Sequence, residues 1–113
     1  MNEQSSLTVL IAEDGATDRL LLARIVREQG HSVITAENGA QAVALFAELR
    51  PQLVLLDVMM PVMDGFEAAR QIKLMAGQAL VPIIFLTSLS EEQALVRCLE
   101  AGGDDFLPKP YRP

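Results

Sequence analysis

Glu13 and Asp14 follow the aliphatic run LTVLIA, Asp57 ends LVLLD, Thr87 closes VPIIFLT, and Lys109 stands in FLPKP. Burying a lone carboxylate costs several kcal/mol or forces it to take up a proton, so Asp57 is expected where its strand leaves the core. Carboxylates, a hydroxyl and an ammonium together suit phosphoryl transfer onto Asp57. An ionised carboxylate nucleophile needs no general base, and a lysine spreads the charge of the incoming group. Clustered carboxylates also repel one another and raise their own pKa values unless something positive sits among them. A hard divalent cation answers that need, because Mg²⁺ takes oxygen ligands from one or two carboxylates, a carbonyl and waters. Singly, each residue has a plainer reading: Asp14 and Asp64 as helix caps or solvated turns, Thr87 as a cap, Lys109 as a surface charge. Their coincidence is what points to chemistry.

For the residues to meet, the chain must carry them to one place. Leu7 to Ala12 reads as a first strand, and Thr17 to Gln29, with Leu21, Leu22, Ile25 and Val26 at helical spacing, as a helix stopped by Gly30. His31 to Ala36 reads as a second strand. Asn38 caps a helix with Ala42, Val43, Leu45, Phe46 and Leu49 inward, ended by Pro51. Leu53 to Leu56 is a third strand, and Asp64 caps a helix from Gly65 or Phe66 to about Met75. Val81 to Leu86 is a fourth strand. Ser90 with Glu91, Glu92 and Gln93 starts a helix that runs through Leu95, Val96 and Leu99 to Gly102, and Phe106-Leu107 makes a short fifth strand. Aliphatic strands alternating with helices imply right-handed crossovers and a doubly wound α/β fold with a parallel sheet. Ligands bind such sheets at the carboxyl ends of the strands, where all the candidate residues fall.

Composition narrows the function. Half of the residues are hydrophobic but only 4% are aromatic, which suits helices packed on a sheet. The formal charge is −6 and no basic cluster occurs, arguing against a nucleic-acid or anionic membrane surface in this chain. The polar start MNEQSS lacks the pattern of a secretory signal, so the expected location is the cytoplasm. Apolar stretches fall well short of the ~20 residues of a membrane span. Cys98 is the only cysteine, ruling out an internal disulfide, and reads as a small buried helix residue; the only histidine, His31, lies at the far end of its strand and reads as a loop or cap residue.

The acid pair Glu13-Asp14, the segment LVLLDVMMPVMDG, IIFLTS and AGGDDFLPKP resemble the receiver domains of two-component response regulators over nearly the whole chain. The resemblance implies a flavodoxin-like sheet of order 2-1-3-4-5. It implies that Asp57 is the phosphoacceptor, fed by a sensor histidine kinase or a histidine phosphotransfer protein. Asp14 and Asp57 would hold Mg²⁺ with the carbonyl of Met59, and Glu13 would act mainly through water. Lys109 would bind the phosphoryl group, Thr87 would donate a hydrogen bond to it, and Phe106 would be the switch aromatic that follows the threonine. Lys109-Pro110 would be a cis peptide. Met59, Met60 and Met63 are expected to pad the loop, with Met59 placed to influence water access. The family continues with a fifth helix beside the first, so residues 1–113 are expected to be a single receiver domain cut before that helix, with an output domain of unknown kind beyond. The surface that the family commonly uses for a homodimer, its fourth helix, fifth strand and fifth helix, is incomplete here.

Two rivals share parts of the pattern. A phosphatase of the haloacid dehalogenase type also uses an aspartate nucleophile after a strand with Mg²⁺, but usually carries a second aspartate two residues on, where this chain has Met59. A pseudo-receiver binding module would have lost the acceptor, the acid pair or the lysine, and all are present. GGDDF, residues 102 to 106, looks like a degenerate cyclase signature but reads as a helix stop followed by a strand start.

Overall fold

The structure, a computed structural model, describes residues 6–88 and 91–109. Strands and helices alternate along the chain: β1 (Thr8–Ala12), α1 (Ala16–Glu28), β2 (Ser32–Ala36), α2 (Gly39–Leu49), β3 (Leu53–Asp57), α3 (Gly65–Ala76), β4 (Ile83–Thr87), α4 (Glu91–Glu100) and β5 (Asp105–Pro108). The strands form one five-stranded sheet of order β2-β1-β3-β4-β5, and every neighbouring pair is parallel. This is the doubly wound fold that the alternation of aliphatic runs and amphipathic segments implies.

The continuous aliphatic character of the strands follows from burial on both faces. Successive side chains point to opposite sides, so Leu10, Val54, Leu56, Ile83 and Phe85 meet Ala42 and Phe46 of α2, Phe66, Ala69 and Ile72 of α3, Cys98 of α4 and Ala101 just after it in one core. Val9, Ile11, Leu55 and Leu86 face the other way and pack on Leu22 and Ala23 of α1. Among the described residues α1 is the one helix on that side.

The helix ends obey local chemistry. Asn38 Oδ1 accepts from the Gln41 amide at 2.8 Å and Asp64 Oδ1 from the Glu67 amide at 2.9 Å, each satisfying a donor that the first turn leaves unpaired. Gly30, at φ 93°, ends α1. His31 belongs to the turn, not to β2: its Nδ1 accepts from the Leu7 amide at 3.0 Å. β4 begins at Ile83, because Pro82 has no amide to give to the ladder.

One packing expectation differs. Leu49, expected inward on α2, is 49% exposed, because the helix ends there and Arg50 turns left-handed at φ 48° ahead of Pro51. On α4, Leu95, Val96 and Leu99 lie outside while the smaller Cys98 is buried, as is Ala101 in the turn just after the helix. Gly103, just after α4, lies against Phe85, where a Cβ would collide with the ring, so the core side of this region has room only for small residues.

Candidate functional site

Register brings the strand ends level. Ala12 of β1 pairs with Ala36 and Leu56, Asp57 of β3 pairs with Leu86, and Thr87 of β4 pairs with Pro108. Glu13 and Asp14 therefore leave the sheet beside Asp57, and Lys109 enters from the other side. The Lys109 amide donates to the Thr87 carbonyl at 2.8 Å, which fixes where its side chain starts.

Lys109 Nζ lies 3.1 Å from Asp57 Oδ2 and 3.4 Å from Glu13 Oε1. Asp57 Oδ1 accepts from the Met59 amide at 3.3 Å, and Glu13 Oε2 accepts from the Gly15 amide at 3.1 Å. Glu13, Asp57 and Thr87 are almost fully buried, whereas Asp14 is exposed. Burial pushes the Asp57 carboxyl up to about 7, and a hydrogen bond with Glu13 and the Glu13 charge add to that rise; Lys109 works against it. Burial alone would lower the Lys109 pKa, but its two carboxylate neighbours outweigh that and raise it. The lysine is thus a held cation, and the Asp57 carboxyl sits near the midpoint of its titration around neutral pH.

Carboxylate oxygens of Glu13, Asp14 and Asp57 all lie within 4.8 Å of one another. The set holds oxygen donors only, the chemistry of a hard cation such as Mg²⁺ rather than of zinc or copper.

The loop after Asp57 is tied down by backbone. Val58 donates to the Leu86 carbonyl at 3.0 Å, Gly65 to the Val58 carbonyl at 2.9 Å, and Gly39 to the Met63 carbonyl at 3.0 Å. Gly39 and Gly65 have to be glycine for closeness: a Cβ would run into the Met63 carbonyl in one case and the Asp57 carbonyl in the other. Met60 and Met63 pack against the main core, as padding should. Met59 does not; its side chain is 70% exposed, two residues past Asp57. Phe106 is half-buried against the same core, next along the sheet from Phe85. The Lys109-Pro110 peptide lies outside the described residues.

One contributor escaped the sequence reading. Arg19 on α1 donates through Nη1 to the carbonyls of Glu13, at 2.9 Å, and Asp14, at 3.3 Å. The signal available was a basic residue one turn into the helix that follows the acid pair, which by itself is ordinary.

The chain matches the response regulator receiver domain family over residues 9–113. It is 38% identical over 113 residues to the transcriptional regulatory protein ResD of Bacillus subtilis, an alignment covering 100% of this chain and 46% of that protein. The chain spans about half the length of ResD and of other curated transcriptional regulators it matches. Among solved structures, the receiver domain of the sensor histidine kinase PA1611 of Pseudomonas aeruginosa, with a magnesium ion coordinated in its active-site cleft, superposes with a TM-score of 0.85 at 31% identity, covering 96% of this chain and 88% of that one. The receiver domain of Saccharomyces cerevisiae Ssk1, in complex with the histidine phosphotransfer protein Ypd1, gives a TM-score of 0.87 at 31% identity, covering 95% of this chain and 81% of that one. With sequence, fold and strand-end chemistry in agreement, the chain belongs to the response regulator receiver domains, the signalling domains of two-component systems.

Proposed function

We propose that Asp57 accepts a phosphoryl group from a phosphohistidine on a sensor histidine kinase or a histidine phosphotransfer protein. One carboxylate oxygen attacks phosphorus as the histidine N–P bond breaks, and the imidazole leaves with its electron pair and takes up a proton. The observation that carries this reading is the buried Asp57 carboxylate held 3.1 Å from Lys109 within a cluster of acids. Asp14, Asp57 and the Met59 carbonyl would hold Mg²⁺, with Glu13 reaching it through water. When bound, the ion neutralises the charge that develops on the transferring group. Lys109 binds a phosphoryl oxygen, and the Thr87 hydroxyl donates a hydrogen bond to the group once it is attached. Withdrawal of Thr87 lets Phe106 turn inward, shifting the population between two packings of α4 and β5.

The complex of Ypd1 with the Ssk1 receiver and the identity with ResD support the partner classes: a histidine phosphodonor upstream, and an output domain or separate partner downstream. A fifth helix after residue 113, a cytoplasmic location and a homodimer through the surface around α4 and β5 belong to the same reading. Exposed Leu95, Val96, Leu99 and Leu107 support that surface. Among the described residues no helix is long and apolar enough to cross a membrane.

The test is incubation with acetyl phosphate and Mg²⁺. The mass should rise by one phosphoryl group in the wild type and stay unchanged in Asp57→Asn. Equal labelling of that variant would overturn the assignment.

A further inference from the structure

The Glu13-Asp14 segment follows the last paired residue of β1, so its backbone must be held by something other than the sheet ladder. The Glu13 amide donates to the Ala36 carbonyl at 3.0 Å, anchoring one side of the turn. On the other side both consecutive carbonyls, those of Glu13 and Asp14, accept from Arg19 Nη1 at 2.9 and 3.3 Å. Arg19 Nη2 lies 3.9 Å from Glu37 Oε2 in the turn after β2, and the Arg19 side chain is only 18% exposed against 67% for Glu37. An exposed ion pair at that distance contributes little. The double donation to backbone is different, because both N–H bonds of Nη1 hold the two peptide units from which the acid side chains spring, and the guanidinium plane fixes the direction of those N–H bonds where an ammonium would rotate.

We infer that Arg19 is a positioning residue for the divalent cation: by clamping the Glu13 and Asp14 carbonyls it holds those carboxylates in the arrangement that binds Mg²⁺. The inference rests on the magnesium site of the proposed function. It differs in sign from a charge effect. A positive group beside a cation site opposes binding, so if Arg19 acted through its charge, its removal would tighten Mg²⁺. If it acts through the backbone, its removal weakens Mg²⁺, as the loss of partners that orient metal ligands does.

Titration of the intact chain with MgCl₂, followed by the backbone amide NMR signals of Asp57 and Met59, separates these cases without any turnover. Arg19→Met should raise the half-saturating Mg²⁺ concentration about tenfold, within the range seen when ligand-orienting groups are lost. The endpoint shifts at saturation should match those of the wild type. Arg19→Lys, which keeps the charge but not the reach and fixed planar N–H geometry of Nη1, should also weaken binding, whereas Glu37→Gln should change it by no more than about twofold because the exposed pair contributes little. Unchanged or tighter binding in Arg19→Met overturns the inference. Should that variant not fold, Arg19→Lys decides by the same criterion, with wild-type affinity as the overturning result. A wild type that shows no Mg²⁺ shifts would overturn the magnesium reading itself, and this inference with it.

Discussion

The Lys109 ammonium, one residue past β5, rests 3.1 Å from the Asp57 carboxylate at the end of β3 and bridges it to Glu13 at 3.4 Å. Two strands that are not neighbours in the sheet are thereby joined through the side chains most involved in the proposed chemistry.

Lys109→Ala should therefore impair both ground state and reaction. Without the ammonium, burial and Glu13 act unopposed on Asp57, so less of it is ionised at neutral pH. The transferring group also loses a charge partner in a site largely shielded from water. Removing one such group typically slows a reaction by about 10²-fold or more. Labelling by acetyl phosphate, followed by mass spectrometry over time, should show that drop, and Lys109→Arg should fall between the variant and the wild type.

Stability of the metal-free protein should depend on pH through Asp57. Its pKa in the fold, about 7, lies above the ordinary 3.8, so between those values the folded state holds a proton that the unfolded chain has released. That contribution is fully present below pH 3.8 and is lost as pH rises through about 7. Melts in chelator should show the wild type losing stability between about pH 4 and 7 relative to Asp57→Asn, which has no proton to lose at that position. Saturating Mg²⁺ should reverse the trend, because it favours the ionised carboxylate.

Thr87→Ala should separate phosphorylation from response. Thr87 is buried at the end of β4, paired across the ladder with Pro108 and next to the pair formed by Leu86 and Leu107. The variant should still bind beryllofluoride, an aspartyl phosphate mimic, but lose most of the amide shift changes in α4 and β5 that the wild type shows. Identical shift changes in both proteins would rule out the coupling.

Asp104 ties three elements together. Its Oδ2 accepts from the Ile83 amide at 2.8 Å and from Lys73 Nζ at 3.0 Å, and Lys73 also donates to the Val81 carbonyl at 3.0 Å. Burial pushes the Asp104 pKa up, but the Ile83 and Lys73 contacts outweigh it, leaving the carboxyl below its usual value. A depressed carboxyl contributes stability above the unfolded pKa that is lost as pH falls through the folded one. Asp104→Ala should destabilise the domain by about 1–2 kcal/mol at pH 7, the lower part of the range for a charged hydrogen bond since the group is partly exposed, measured by urea unfolding. The difference from the wild type should shrink as the pH is taken well below 4.

The order and kind of the elements were readable from local signals. The aliphatic runs, the caps at Asn38 and Asp64 and the stop at Gly30 act within a few residues of themselves, so the chain carries them openly. The site was readable for a related reason: in a parallel sheet every strand delivers its end to the same edge, so residues following the strands must meet there. Packing decided the rest. The width of each buried helix stripe depends on what faces it, which is why Leu49 and the α4 residues Leu95, Val96 and Leu99 remain outside while Cys98 and Ala101 go in. The raised pKa of Asp57 exists only because folding buries its carboxyl and sets Glu13 beside it. The clamps of Arg19 on the acidic turn and of Lys73 on Asp104 use side chains whose type and spacing suit an ordinary solvated helix face. A long flexible cation gains a specific role only from the carbonyls and carboxylates that the fold places within its reach, and those come from distant parts of the chain or from across a turn.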